Sequence, residues 1–217
     1  MKKSNYSYIG ISFIILVFGI WVGVQVEHRY FQNDSNEIDK TPYFVTIGQI
    51  PEFSFTNQDG KTITNKTYKG KVYIVEFFFT TCPSICPIMN ENMVKIQNEF
   101  FGNPNLAIAS FSIDPAKDTP SVLKEYAKKY KITNPNWHLL TGDKEDIYKL
   151  ANEGFNLYVG EDSEAEGGFE HSGFFALIDQ VGNIRSRKDE NGNPIIYYNG
   201  LEDSGIKMLK EDIKEIL

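Results

Sequence analysis

The chain has 217 residues, of which 41% are hydrophobic, 14% aromatic and 24% charged, enough apolar material for one globular domain with an appended segment and too much for a disordered chain. Its formal net charge is -7, which leaves no basic footprint for nucleic acid and excludes that class of partner. It holds only two cysteines, Cys82 and Cys86, and a disulfide across so short a loop would restrain the unfolded chain little, so a structural staple is a poor account of them.

In chain order, residues 1–8 carry Lys2 and Lys3 and precede "IGISFIILVFGIWVGVQV", the charge-free run from Ile9 to Val26. Its length suits one N-terminal transmembrane helix, and the apolar residues surround it rather than forming a stripe, unlike a core helix. Lysines before the run, with Glu27 and Arg29 cancelling behind it, place residues 1–8 in the cytoplasm and send the rest across, toward a periplasm. A cleavable signal peptide is the alternative, but no Ala-x-Ala-like site follows and no cysteine stands there for lipid attachment. Trp21 suits an interfacial anchor. The polar stretch 27–42, "EHRYFQNDSNEIDKTP", reads as a linker, and the exported domain spans 43–217.

Within that domain, Asp59-Gly60 in "FSFTNQDGKTIT" marks a hairpin between two short β-prone runs. "KVYIVEFFF", Lys71 to Phe79, is β-branched and aromatic on both faces, as in a strand covered on both sides. The cysteines follow directly. Beyond Pro87, apolar Ile88, Met89, Met93, Ile96 and Phe100 recur at helical spacing, which puts Cys86 at a helix N-terminus. "LAIASFSI", Leu106 to Ile113, is a second buried strand, and Thr119-Pro120 opens the next helix, which ends near Lys129. A short strand around His138 to Leu140 leads through Asp143, an N-cap, into a helix from Lys144 to about Glu153. "GEDSEAEGG", 160–168, reads as a mobile, solvated loop or an ordinary surface one. "FFALID", Phe174 to Asp179, is another strand, turned by Gly182-Asn183 into a ribbon through Tyr197. From Asp203 on, Ile206, Leu209, Ile213 and Ile216 share one face of a closing helix. Strands alternating with helices, with hairpins at the edges, give an α/β sandwich, and the strand, cysteine turn and helix in succession make it thioredoxin-like in outline with an extra β-hairpin.

The spacing of Cys82 and Cys86 is one residue longer than Cys-x-x-Cys, which leaves room between the sulfurs for an ion. A thiol at a helix N-terminus meets unpaired N–H groups and the positive end of the helix dipole, which favour the thiolate. Thiolates serve equally as nucleophiles and as soft metal ligands, so a redox couple and a metal site both remain open. In an exported domain, idle neighbouring thiols become a disulfide unless something reduces them or a metal occupies them.

Three segments together resemble the Sco/SenC family of copper-binding assembly factors of cytochrome c oxidase. "FFFTTCPSICPIM" is similar to the family's Cys-Pro-x-x-Cys-Pro segment at Cys82, Pro83, Cys86 and Pro87. "SIDPAKDTP", Ser112 to Pro120, resembles its Ser-x-Asp-Pro-x-x-Asp-Thr stretch. "EHSGFFALID", Glu170 to Asp179, resembles its Asp-His-Ser segment, with glutamate in place of the usual aspartate. The resemblance implies a thioredoxin-like fold and a copper site of Cys82, Cys86 and His171, working with Cu(I) and, as a second state, Cu(II). It implies a membrane-anchored copper chaperone serving the dinuclear copper centre of cytochrome c oxidase subunit II, with another periplasmic copper carrier or a thiol reductase as further partners. Two thiolates and one imidazole form a soft, low-coordinate site that suits Cu(I), whereas structural zinc takes four protein ligands. The alternatives are a thiol–disulfide reductase acting through Cys82 and Cys86 on the recipient's cysteines, and a copper or redox sensor.

The remaining candidates have plainer readings. His138 leads a short strand and reads as a packed or surface residue, and His28 borders the membrane. Met89 and Met93 read as core. Asp114 and Asp118 lie in turn and cap chemistry and read as organisers of the loop near the site.

Overall fold

The structure, a computed structural model, describes residues 16–19, 21, 44–165 and 167–217. The chain divides into two compact units, 1–42 and 43–217. In the first, residues 16–19 and 21 are helical and exposed. Most of the expected span Ile9–Val26, and the expected linker 27–42, lie outside the described residues; among those described, no helix is long and apolar enough to cross a membrane.

The second unit is built on one mixed sheet. Its elements run β1 (Phe44–Gln49), β2 (Ser54–Asn57), β3 (Thr62–Thr64), β4 (Val72–Phe78), α1 (Ile85–Glu99), β5 (Leu106–Ser112), α2 (Pro120–Lys129), β6 (Trp137–Thr141) and α3 (Lys144–Lys149). They continue with β7 (Val159–Glu161), β8 (Phe169–His171), β9 (Phe174–Ile178), β10 (Asn183–Arg187), β11 (Tyr198–Asn199) and α4 (Asp203–Ile216). The strand order is β1-β10-β9-β4-β5-β6-β2-β3, with β11 added beside β9, while β7 and β8 form a separate two-stranded ribbon. β4, β5 and β6 run parallel at the centre, and β9 lies antiparallel on the other side of β4.

Every residue of β4 and of β5 is buried, as expected for strands covered on both faces. Alternation along β4 decides what each face meets. Phe77 packs edge-on against Phe155, beyond α3, at 5.8 Å between ring centroids, whereas Phe78 packs against Tyr126 of α2 at 5.3 Å. The two helices therefore cover opposite faces. α1 joins α2 on the Phe78 face, where Asn90 Nδ2 donates to the Tyr126 hydroxyl at 2.7 Å. α4 follows beside α1, held by Lys210 and Lys214 on Glu99 and by Asn92 Nδ2 donating to the Gly200 carbonyl. Met89 and Met93 are fully buried core residues.

Thr119 caps α2 through its hydroxyl, with Pro120 in the first turn, and Asp143 caps α3 through two backbone N–H groups. The Asp59-Gly60 hairpin joins β2 and β3, with Gly60 in the left-handed region at φ 73°. α1 differs from expectation in its start. It begins at Ile85, so Cys86 and Pro87 both lie inside its first turn, where a proline is tolerated because its missing N–H has no intrahelical partner.

Gly205, in the first turn of α4, is where that helix crosses the chain leaving β11. A Cβ built there would lie 2.1 Å from the Asn199 carbonyl oxygen, a backbone atom that cannot rotate away. Alanine is favoured over glycine in a helix by about 1 kcal/mol, but overpacking against backbone costs about 3 kcal/mol. Gly205→Ala is thus expected to destabilise the domain by about 2 kcal/mol net, read from the urea midpoint. Exposed Lys207→Ala on the same helix is the control and should stay within about 0.5 kcal/mol; equal midpoints for the two variants would contradict the close approach.

Candidate metal centre

β4 delivers the chain to the cysteine turn, and a buried carboxylate fixes the turn in place. Asp118 accepts the backbone N–H of Thr80 at 3.0 Å, the Thr80 hydroxyl, and the Ser112 hydroxyl at 2.5 Å. Ser112 ends β5 and Thr80 stands two residues before Cys82, so Asp118 ties the turn to the neighbouring strand, as its loop-organising reading anticipated. Cys82 N then donates to the Phe79 carbonyl at 3.3 Å, and α1 starts at Ile85.

The two sulfurs are not equivalent. The backbone N–H of Cys86, in the first turn of α1, donates to Cys82 Sγ at 3.4 Å. The helix N-terminus therefore serves Cys82, whereas spacing alone assigns its influence to Cys86. Cys82 is pulled down to about 3, chiefly by the hydrogen bond from the Cys86 thiol and against the opposing effect of burial. Cys86 is pushed far above the usual thiol range by that same hydrogen bond, by burial and by the charge on Cys82. The metal-free dithiol is thus one thiolate and one thiol, both buried, at 8% and 1% exposure.

His171 comes to them from β8, in the separate ribbon, where it pairs with Val159 of β7. Its Nε2 lies 3.3 Å from Cys86 Sγ and 4.0 Å from Cys82 Sγ. Its Nδ1 faces the Ser172 carbonyl at 3.2 Å. A carbonyl only accepts, so Nδ1 carries a proton, and Nε2 is the ring nitrogen turned toward the sulfurs and placed to ligate. Among the described residues these three side chains form the one group of histidine, cysteine and carboxylate residues able to hold a metal ion, with all donor atoms within 4.8 Å of one another. Two sulfurs and an imidazole nitrogen suit a soft ion such as Cu(I).

The ribbon is seated on the turn by close packing. Phe79 lies 5.1 Å from the Phe169 ring and edge-on to His171 at 5.6 Å. Gly167, at φ 87°, comes so near that a Cβ would sit 2.8 Å from Phe79 and 3.2 Å from Pro83. The acidic stretch 160–168, read as a solvated loop, is the tip of this ribbon, and its glycine makes the contact. A cavity of about 250 Å³ opens beside Cys82 and His171, with Ala165, Phe169 and Glu170 on its wall. Glu170 is exposed, and the Nδ1 partner of His171 is a backbone carbonyl rather than a carboxylate. A larger cleft of about 740 Å³ beside α3 presents Lys66, Lys149, Glu52, Asp146 and Glu153 and no cysteine or histidine.

His138 lies elsewhere, half-buried in β6, with Nδ1 at 2.8 Å from the hydroxyl of buried Tyr68. It is a packed residue, as its position in the sequence implied. The sequence reading named Asp118 as an organiser of the loop without its partners, which the structure gives as Thr80 and Ser112.

Comparison with known proteins follows the same lines. The SCO1/SenC family profile matches residues 41–204. The SCO1 protein homolog of Bacillus subtilis is 33% identical over 168 residues, covering 76% of this chain and 81% of that protein. The structure of BsSco, described as a Sco-family cytochrome c oxidase assembly protein with a disulfide switch, aligns at a TM-score of 0.65 and 31% identity, covering 79% of this chain and 95% of that one. Yeast Sco1 crystallised with copper bound aligns at 0.59 and 26% identity, covering 78% and 91%.

The sulfur asymmetry has a direct readout in the reduced, metal-free protein. A thiol of ordinary pKa loses about tenfold in alkylation rate per pH unit below about 8. Cys82, ionised down to about 3, should react with iodoacetamide at a nearly constant rate from about pH 8 to about pH 5, with Cys86 labelled only after unfolding. A tenfold fall per unit at Cys82, or preferential labelling of Cys86, would overturn the assignment.

Proposed function

Because the chain belongs to the SCO1/SenC family and gathers Cys82, Cys86 and His171 within bonding reach of one small ion, we propose that it is a membrane-anchored copper carrier. It binds one copper through those three side chains and delivers it during assembly of cytochrome c oxidase, with the dinuclear copper centre of subunit II as recipient. The observation that carries this reading is the histidine: Nε2 faces both sulfurs while Nδ1 is occupied by the Ser172 carbonyl. A simple dithiol exchanger has no need of it.

The chemistry of uptake follows from the protonation states. Cys82 already offers a thiolate, and Cu(I) binding displaces the remaining proton from Cys86, leaving two thiolates and a neutral imidazole around a soft ion. Cys82 lies in the turn after β4 and Cys86 in the first turn of α1, whereas His171 lies on a separate ribbon. One ligand can therefore leave without disturbing the other two, which suits a carrier that must hand over its cargo.

A second reading draws on the depressed Cys82 thiol beside Cys86, and on the disulfide switch named for BsSco: the pair reduces the recipient's cysteines before copper arrives. His171 separates the two. In cells, His171→Ala is expected to lower oxidase copper content and activity nearly as far as Cys82→Ser. In the purified protein it should weaken copper binding while leaving the cysteines able to cycle between dithiol and disulfide. Full oxidase activity with His171→Ala at normal abundance would make the reductase the main function.

The anchor is proposed from the apolar run Ile9–Val26 behind Lys2 and Lys3, with the chain a single-pass protein of the cytoplasmic membrane and residues 43–217 in the periplasm. Protease added to intact spheroplasts should digest the domain while it remains membrane-bound; a protected domain, or a mature N-terminus near Glu27, would refute the topology.

A further inference from the structure

Gly167 stands at the tip of the β7–β8 ribbon, just before Phe169 opens β8. The pairing of the ribbon runs past the strands themselves: the Asp162 N–H donates to the Gly168 carbonyl at 3.1 Å, and the Gly168 N–H turns back to the Ala165 carbonyl at 2.9 Å. Gly167 is therefore tied to the ribbon that carries His171. Its backbone is left-handed, at φ 87°, and a Cβ there would sit 2.8 Å from Phe79 Cε2, 2.9 Å from Phe79 Cζ and 3.2 Å from Pro83 Cδ. Its neighbour Gly168 has nearly the same backbone, at φ 85°, yet a Cβ there would meet nothing within 4 Å. The two glycines share a conformational requirement, and only Gly167 adds a packing one.

Phe79 is not free to give way. Its ring is buried and is faced by Phe169 at 5.1 Å and, edge-on, by His171 at 5.6 Å. Both neighbours belong to β8. A methyl group at position 167 would thus either lift the ribbon directly or drive the Phe79 ring into β8, because close-packed side chains pass a displacement on to the next. Either route moves His171. Pro83 directly follows Cys82, so the same contact gauges the ribbon against the cysteine turn. His171 Nε2 lies 3.3 Å and 4.0 Å from the two sulfurs, and a binding constellation tolerates only about 0.5 Å of misplacement.

We propose that Gly167 is a positioning residue for the third ligand: the absence of a side chain there lets the ribbon close on Phe79 and Pro83 and so brings His171 Nε2 to the sulfurs. The inference rests on the reading of His171 as a copper ligand, and it adds to that site a residue with no donor atom of its own. Cys82 and Cys86 lie outside the ribbon, so a ribbon held off its seat withdraws the imidazole and leaves both sulfurs in place. The glycine acts through Phe79, not on the metal.

The test compares Gly167→Ala with Gly168→Ala in the full-length protein. Both substitutions force alanine into a left-handed backbone, so the difference between them isolates the contact. Gly167→Ala should weaken copper binding about 10- to 100-fold, the range seen when the outer support of a metal ligand is disturbed, and should lose the imidazole nitrogen coupling from the spectrum of the Cu(II) form. Gly168→Ala should stay within about threefold and keep the coupling. Phe79→Leu removes the ring atoms that the new methyl meets, and in that background Gly167→Ala should cost no more than about twofold. Equal losses for the two glycine variants, or an undiminished loss beside Phe79→Leu, would overturn the proposal. A wild type without nitrogen coupling would remove the reading of His171 as a ligand; coupling present in the wild type and unchanged in Gly167→Ala would remove the positioning role alone. A measurement on the metal-free wild type guards against a variant that fails to fold. The Gly167 α-protons should show nuclear Overhauser contacts to the Phe79 ring, and that ring to the His171 imidazole; the absence of either rejects the seat.

Discussion

The hydrogen bonds of Asp118 are the constraint on which the site depends. They join three segments beyond the β4–β5 ladder or at its end: the end of β5 at Ser112, the turn at Thr80, and the start of α2. The carboxylate is itself buried, and each donor it accepts is a group that would otherwise be orphaned beside an apolar core. Once Thr80 is fixed, Cys82 has little freedom, and the first N–H of α1 has a definite target. The sulfur geometry is therefore set by backbone and second-rank side chains, and the thiols themselves contribute little to holding it.

Much of this was legible in the sequence, and the parts that were not share a cause. The apolar run ending in Phe77 and Phe78 could only be a strand covered on both sides, and the spacing of Met89, Met93 and Ile96 could only be the inner face of a helix; local period settles such elements. β1 escaped because Phe44–Gln49 is mostly half-exposed and gains its ladder from β10, far along the chain. The ribbon β7–β8 escaped because its polar tip reads as solvated loop, and only Gly167 against Phe79 and Pro83 shows that it is packed. The meeting of His171 with the cysteines rested on family resemblance, since residues so far apart carry no spacing signal. Glu76, the one acidic residue in "KVYIVEFFF", is fully buried in β4, a placement that the apolar run around it did not foretell.

The assignment of charge between the sulfurs shows where sequence reasoning reaches its limit. It placed Cys86 at a helix N-terminus correctly, and general chemistry then favours a thiolate there. What it could not supply is the direction of the N–H. In the folded turn that bond points back across the loop to Cys82, so the dipole's benefit crosses from one cysteine to the other. A preference stated per residue becomes, in three dimensions, a preference of the pair.

The same asymmetry gives the site its chemical range. A pair with both thiols protonated would bind a soft ion poorly, and a pair with both ionised beside buried Glu76 would concentrate negative charge in a closed interior. One thiolate with one thiol avoids both extremes: Cys82 is ready as ligand or nucleophile, while the Cys86 proton can be displaced by copper or surrendered when a disulfide forms. His171 approaches Cys86 more closely than Cys82, at 3.3 Å against 4.0 Å, so the imidazole stands beside the sulfur that must still lose its proton. His171, on the separate ribbon, thus stands nearer the less reactive sulfur.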